Sequence, residues 1–384
     1  MRIVILGAGP AGLYLAYLVK RRRADTDVTI IEQNPADATF GFGVVFSDRA
    51  LEFLREDDQE TYAAIVPHME SWSDIAIVHR GERIAIDGVG FAAIGRLKLL
   101  RLLQARVRSV GVAPVYSRMV RSLDELDGAD LIVGADGVNS LVRRTCEQDF
   151  GATTRLLTNR FAWFGTSKRF ETLTQTFVAT ELGFFNAHHY RYAPNLSTFI
   201  VEVDQATFAR AGFAQMGETE ARTLCERVFA QTLDGCPLIS NNSIWRQFPI
   251  VHSKQWSVRN NVLIGDALHT AHFSIGSGTR LAMEDAIALD EALVRHPEDI
   301  GMALAAFETA RRPVLEKLLA GANESAIWYE HFAEHMKLAP IDFAMNYVTR
   351  SGRVDIDRLR KLSPRFVEKF ERHRSEASDR PPAG

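Results

Sequence analysis

No stretch of the chain narrows its folding options more than residues 2–32. Arg2-Ile3-Val4-Ile5-Leu6 is apolar, β-branched and too short for a helix, so it predicts a buried strand. The turn Gly7-Ala8-Gly9-Pro10-Ala11-Gly12 follows, then an apolar stretch of helical length over 13–19 and a second strand over 28–31. Each part has a mechanical task. Gly7 permits the tight turn, Gly9 lets backbone approach a pyrophosphate, and Gly12 allows helix and strand to pack closely. Helix N–H groups attract the phosphates, and Glu32, twenty residues past Gly12, can accept from a ribose diol. Pro10 and Ala11 within the turn and Gln33 beside the acid are counted with the same site. A lone GxGxxG is weak, but strand, helix and acid at these distances predict a site for the ADP half of a dinucleotide.

The 384 residues suit two lobes better than one. A net charge of −3 argues against nucleic acid as a main partner. Cys146, Cys225 and Cys236 form no CxxC pair, which excludes a disulfide framework or zinc knuckle and suits the cytoplasm. No metal site is expected. No run of eighteen apolar residues exists, so no membrane span is expected. Residues 374–384 are polar and end in Pro-Pro-Ala-Gly, and are expected to be disordered.

Further along, residues 39–48 are glycine-dotted and aromatic, a segment suited either to close approach of a flat ligand or to a buried turn. Ser47-Asp48 look like the start of a helix over 49–54. Alternating residues over 72–86, with a turn at Arg80-Gly81-Glu82, predict a hairpin. Arg96 opens an amphipathic helix, where it can meet phosphate or sugar. Residues 130–140 and 261–267 are buried strands that end in Asp136-Gly137 and Gly265-Asp266. Gly276, Gly278 and Thr279 then open a further helix, bringing backbone N–H groups beside the Asp266 carboxylate. Residues 158–255 are rich in aromatic strands with one helical stretch near 218–233, a wall for an aromatic or apolar substrate. From 302 to about 372 the pattern is helical, broken at Pro340 and Pro364.

The expected fold class is therefore α/β. A discontinuous Rossmann-like domain (1–71, 95–157 and 256–300) is interleaved with a mainly β substrate lobe (72–94 and 158–255), and helices over 301–373 follow.

Four pieces occur in order: GAGPAG with Glu32, Arg96 at a helix start, Asp136-Gly137 with Ser140 and Arg143, and Gly265-Asp266-Ala267 with Gly276, Gly278 and Asp285-Ala286. The ordered set resembles the single-component FAD-dependent aromatic hydroxylases. The resemblance implies ADP binding at the first motif, an FAD-side and NAD(P)H-linked role for Asp136, and a ribityl contact at Asp266. Two departures, Phe273 where the family often has proline and Arg280 where it often has asparagine, are joined by GFGVVFSD at 41–48 and FAWFGTSKRF at 161–170. Together they resemble the branch that hydroxylates aromatic acyl-CoA thioesters. The chain reaches 384 without a second barrel domain, so the fused reductase type is not expected.

The resemblance implies transient NAD(P)H, O2 and a C4a-hydroperoxide of the flavin that hydroxylates an electron-rich ring such as salicyloyl-CoA at its 5-position. Arg280 would either stabilise negative charge on the flavin or pair with Glu284 one turn on. Candidate bases are His269 and His272 in the Gly-Asp loop and His188, His189 and Tyr190 on the β lobe. Alternation lets only one of His188 and His189 face a cavity. His269, His272, Arg280 and His189 are taken as the catalytic set. Lys168, Arg169 and the Arg210 region are candidates for CoA phosphates. A monomer or homodimer is expected. The rival readings are a hydroxylase of a free aromatic or indolic compound and a non-catalytic flavin binder.

Overall fold

Arg2–Leu6 is a strand, and it lies inside a sheet whose order is Ser257–Val258, Asn261–Leu263, Leu131–Gly134, Arg2–Leu6, Asp27–Ile31. The computed structural model describes residues 1–39, 41–47 and 51–378. The last four strands of that order are parallel, so their C-terminal ends share one edge. Gly7, Glu32, Ala135 and Ile264 follow those ends directly. Parallel strands are buried on both faces, which is why they read as continuous apolar runs rather than alternating ones. The helix Pro10–Arg22 packs over them against Gly278–Arg295 and Arg96–Ser109.

A second sheet of seven strands stands opposite, in the order Leu238–Ile239, Arg160–Thr166, Leu196–Val203, Gly183–Ala193, Leu173–Thr180, Ile75–His79, Glu82–Ile86. The hairpin expected over 72–86 supplies its last two strands. Register aligns Trp163, Ile200, His188 and Gln175 in one cross-strand row. The next row, Phe164, Phe199, His189 and Thr174, points to the other face. There Phe164, Phe185, Phe199 and Val201 are covered by Leu224, Cys225 and Phe229. On the first face Phe177 packs against Trp328, Phe332, Phe343 and Tyr347 of the C-terminal helices.

Three local readings change. Residues 43–47 form a strand, Gly43–Ser47, paired antiparallel with Phe91–Gly95. Its inward Val44 and Phe46 alternate as a strand requires, but the flanking glycines disguise it. Gly43 has to lack a side chain, because a Cβ there would lie 2.6 Å from Cβ of Tyr192. Asp48 and Arg49 lie outside the described residues, and the helix that follows them is Glu52–Asp57. Gln205–Ala211 is a second helix in the β lobe, capped by Asp204. Finally, Pro364–Ser378 is helical into the segment expected to be disordered, and 379–384 lie outside the described residues. Among the described residues no helix is long and apolar enough to cross a membrane.

Candidate active site

The sheet edge where Gly7, Glu32 and Ala135 emerge forms a groove of about 510 Å³, lined by Gly7, Glu32, Gln33, Arg96 and Asp136. Gly7 has φ +101°, and a Cβ there would sit 2.3 Å from the Ala135 carbonyl oxygen. A Cβ on Gly12 would sit 2.1 Å from the Gly7 oxygen. Gly9 differs: its Cβ position has nothing within 4 Å, so the bare backbone leaves open space at the groove. Pro10 begins the helix, and no side chain caps its first turn. Glu32 accepts from the N–H of Ala8 (2.9 Å) and of Asn34 (2.8 Å), which fixes the carboxylate at the strand end. Asp136 accepts from Leu141 N–H through Oδ2 (2.6 Å), while Oδ1 is buried without a partner among the described residues. Loss of solvation raises its pKa. An uncapped helix, a backbone cradle and an unpaired carboxylate oxygen together fit the ADP end of FAD.

Past Gly9, Pro10, Arg96 and Gly137 the groove continues into a cavity of about 1270 Å³ between the two sheets. One wall carries Asp266, Gly276, Gly278 and Thr279, and the other carries Trp163, Ile200, His188 and Gln175. This exceeds the usual size of a drug-sized site, so a flavin ring and a second aromatic group fit together. Asp266 is exposed into this cavity yet ringed by protein. Lost solvation raises its pKa, and His269 and Arg96 offset part of that rise. Gly276 adopts φ +61°, and a Cβ there would meet Val45 at 2.8 Å. The Arg96 side chain lines both spaces.

The four expected catalytic side chains stand behind these walls, and none lines the cavity. His269 Nε2 is 2.7 Å from Asp285 Oδ2. Asp285 also accepts from Gly265 N–H (3.0 Å) and Arg311 Nε (2.9 Å). Burial would raise the Asp285 pKa, but His269 and Arg311 outweigh it and the net direction is down. His269 is thus one arm of a buried strut under the Gly265-Asp266 turn. His272 is buried with Nδ1 2.8 Å from Ser274 Oγ, and burial brings its pKa down to about 4. Its neighbour Phe273 is the residue that reaches the cavity. Arg280 pairs with Glu284 at 2.6 Å, and Glu284 also holds Arg311 at 2.9 Å.

His189 requires a correction. It lies on the far face of the sheet, its ring 4.0 Å from Phe170 and 5.3 Å from Phe199, with Nε2 on Thr176. Burial brings its pKa down to about 3. His188 faces the cavity instead, and its pKa is well below the ordinary value through burial and the nearby Arg350 charge. Lys168 pairs with Asp234 (2.7 Å) and Arg210 donates to the Leu182 carbonyl (3.0 Å), both away from the cavity lining. Exposed arginines that do belong to the lining are Arg144, Arg246 and Arg358. Sequence reading missed Gln175, Trp163 and Ile200, whose common signal is their shared parity on paired strands.

Residues 110–322 match the family model described as FAD binding domain, and residues 2–189 match that of lycopene cyclase protein. The chain belongs to the FAD-dependent aromatic monooxygenases, flavoprotein hydroxylases of aryl substrates. It is 42% identical over 361 residues to salicyloyl-CoA 5-hydroxylase of Streptomyces sp, covering 91% of this chain and 70% of that protein. It is 34% identical over 355 residues to 3-hydroxy-4-methyl-anthranilyl-(aryl-carrier protein) 5-monooxygenase of Streptosporangium sibiricum, covering 92% and 95%. The fold is shared with PqsL of P. aeruginosa, solved in complex with 2-aminobenzoylacetate (TM-score 0.68, 20% identity, 87% of this chain and 98% of that one). It is also shared with 2-methyl-3-hydroxypyridine-5-carboxylic acid oxygenase (TM-score 0.69, 17% identity, 94% and 95%).

Proposed function

We propose that the chain hydroxylates an aromatic ring presented as a CoA thioester, with salicyloyl-CoA and its 5-position as the leading case. The observation that carries this reading is one cavity with a Gly-Asp turn on one wall, an aromatic row on the other, and Arg144, Arg246 and Arg358 exposed on its lining. Overall, a ring C–H, O2, NAD(P)H and a proton give a ring C–OH, NAD(P)⁺ and water. FAD, when bound, supplies electron transfer from NAD(P)H and activation of oxygen.

The chain's own residues bind and orient. Gly9, Pro10 and Ala11 would hold the pyrophosphate on the turn that Gly7 and Gly12 permit, while Glu32 and Gln33 would face the ribose. Asp136 and Arg96 stand at the join between groove and cavity, and Asp266 with Gly276, Gly278 and Thr279 flanks the flavin side. His269, through Asp285 and Arg311, keeps the Gly265-Asp266 turn in place. His272 and Arg280 likewise support the wall from behind. Phe161, Trp163 and Phe273 exclude water from the ring. The exposed arginines suit the phosphates of the CoA tail. Three free thiols suit a cytoplasmic enzyme.

The test compares NAD(P)H oxidation stimulated by salicyloyl-CoA with that stimulated by free salicylate. Strong stimulation by the thioester alone is expected. Equal stimulation by the free acid would remove the CoA requirement.

A further inference from the structure

The cavity-facing row has an internal polarity. Glu202 is buried, and its Oε1 accepts from Asn159 Nδ2 at 2.9 Å. Its Oε2 lies 3.3 Å from His188 Nε2. Burial raises the Glu202 pKa and the Asn159 hydrogen bond offsets part of that rise. As a carboxylate Glu202 only accepts, so the His188 proton sits on Nε2 and Nδ1 is left as a bare acceptor. That nitrogen is 2.9 Å from the Gln175 amide nitrogen. The contact orients the amide, with Nε2 on His188 and Oε1 turned elsewhere. Gln175 is buried and lines the cavity, and its Oε1 has no hydrogen-bond partner among the described residues. A buried acceptor without a donor is costly, and in a substrate cavity the missing donor comes from the ligand.

We propose that Gln175 is a specificity-determining residue that accepts a hydrogen bond from a hydroxyl or amino group on the substrate ring. His188 and Glu202 are positioning residues that fix the amide with its oxygen, not its nitrogen, left without a partner among the described residues. This rests on the reading that the cavity takes an aromatic acyl thioester, and it names the ring substituent selected. A ring without such a donor leaves Oε1 unpaired and binds more weakly.

Equilibrium binding to the flavin-loaded protein, read from the flavin absorbance, tests it. Salicyloyl-CoA and 2-aminobenzoyl-CoA are expected to bind about ten- to a hundredfold more tightly than benzoyl-CoA. Gln175→Met, close in shape but without polar atoms, is expected to erase that preference and leave benzoyl-CoA affinity within about threefold. Glu202→Gln, which can donate to Nε2 and so permits the reverse polarity, is expected to shrink the preference too. Equal binding of all three thioesters by the wild-type protein overturns the assignment. So does a preference that survives in Gln175→Met, or a loss that benzoyl-CoA shares equally. Salicylate against benzoate, run alongside, separates the ring question from the thioester question. Binding of the acids alone sinks the thioester reading while the donor preference is still measured, and binding of neither pair sinks both.

Discussion

The groove from Glu32 to Asp136 is shaped chiefly by backbone, whereas the cavity wall from Trp163 to Gln175 is made of side chains. In the groove, Gly7 and Gly12 are needed because a Cβ would strike backbone at 2.3 and 2.1 Å, and Gly9 because its vacant side leaves room for a ligand. In the wall, the chemistry depends on which of two alternate rows faces inward, since His188 lines the cavity and His189 packs between phenylalanines. Backbone sites are set by local spacing, and side-chain walls are set by register between distant strands.

The largest expected effect breaks the division. Asp285 is a side chain on which the backbone of the cavity's Gly265-Asp266 turn depends, because it joins Gly265 N–H, His269 and Arg311 in a buried strut. Asp285→Ala strips a buried acceptor from Gly265 N–H, His269 and Arg311 at once, although Arg311 keeps Glu284, and should cost about 3–5 kcal/mol in urea unfolding. A loss below about 1 kcal/mol would make the strut incidental.

Acid should act on the side-chain wall. In the unfolded chain histidine takes up a proton near pH 6.5. In the folded chain His272 resists until about pH 4 and His189 until about pH 3. The unfolded state therefore binds more protons across that window. Stability is level above pH 6.5 and falls as pH drops toward 4, by about 3 kcal/mol for His272. Melting temperatures that stay flat from pH 7 to 5 would contradict the burial of these rings as neutral bases.

Gly9→Ala sharpens the comparison from the backbone side. Its Cβ meets no protein atom, so stability should change by less than about 1 kcal/mol. FAD affinity should still drop by about tenfold or more, because the added methyl fills the space left for the pyrophosphate. Unchanged flavin retention would mean that the cofactor does not approach there.

The smallest effect is expected at Arg280, whose guanidinium is held by Glu284 at the cavity's back. Arg280→Gln should cost about 1 kcal/mol or less and leave the hydroxylation rate within about twofold. A large fall in rate with FAD still bound would restore it to the reacting centre.

These contrasts explain what the sequence made legible. Gly7, Gly9, Gly12, Glu32, Asp136 and Asp266 could be read because strand, turn and helix are contiguous. All but Gly12 line one connected groove and cavity, and Gly12 packs beneath on Gly7 and Ile5. Parity separated His188 from His189 but could not say which was inside, since that depends on which face helices 205–233 cover. Gly43–Ser47 was hidden by Gly41 and Gly43, the second of which its packing against Tyr192 demands. Lys168 and Arg210 carry charge but no address, and the Asp285 strut joins residues from separate elements that no local spacing reveals.

The most direct measurement is the product mass after purified protein, FAD, NAD(P)H and salicyloyl-CoA are incubated under isotopically heavy oxygen gas. Hydroxylated thioester carrying a single heavy oxygen atom on its ring is expected. Thioester recovered without added oxygen, or oxygen that comes from water instead of the gas, would contradict flavin-dependent hydroxylation of an aryl-CoA by this cavity.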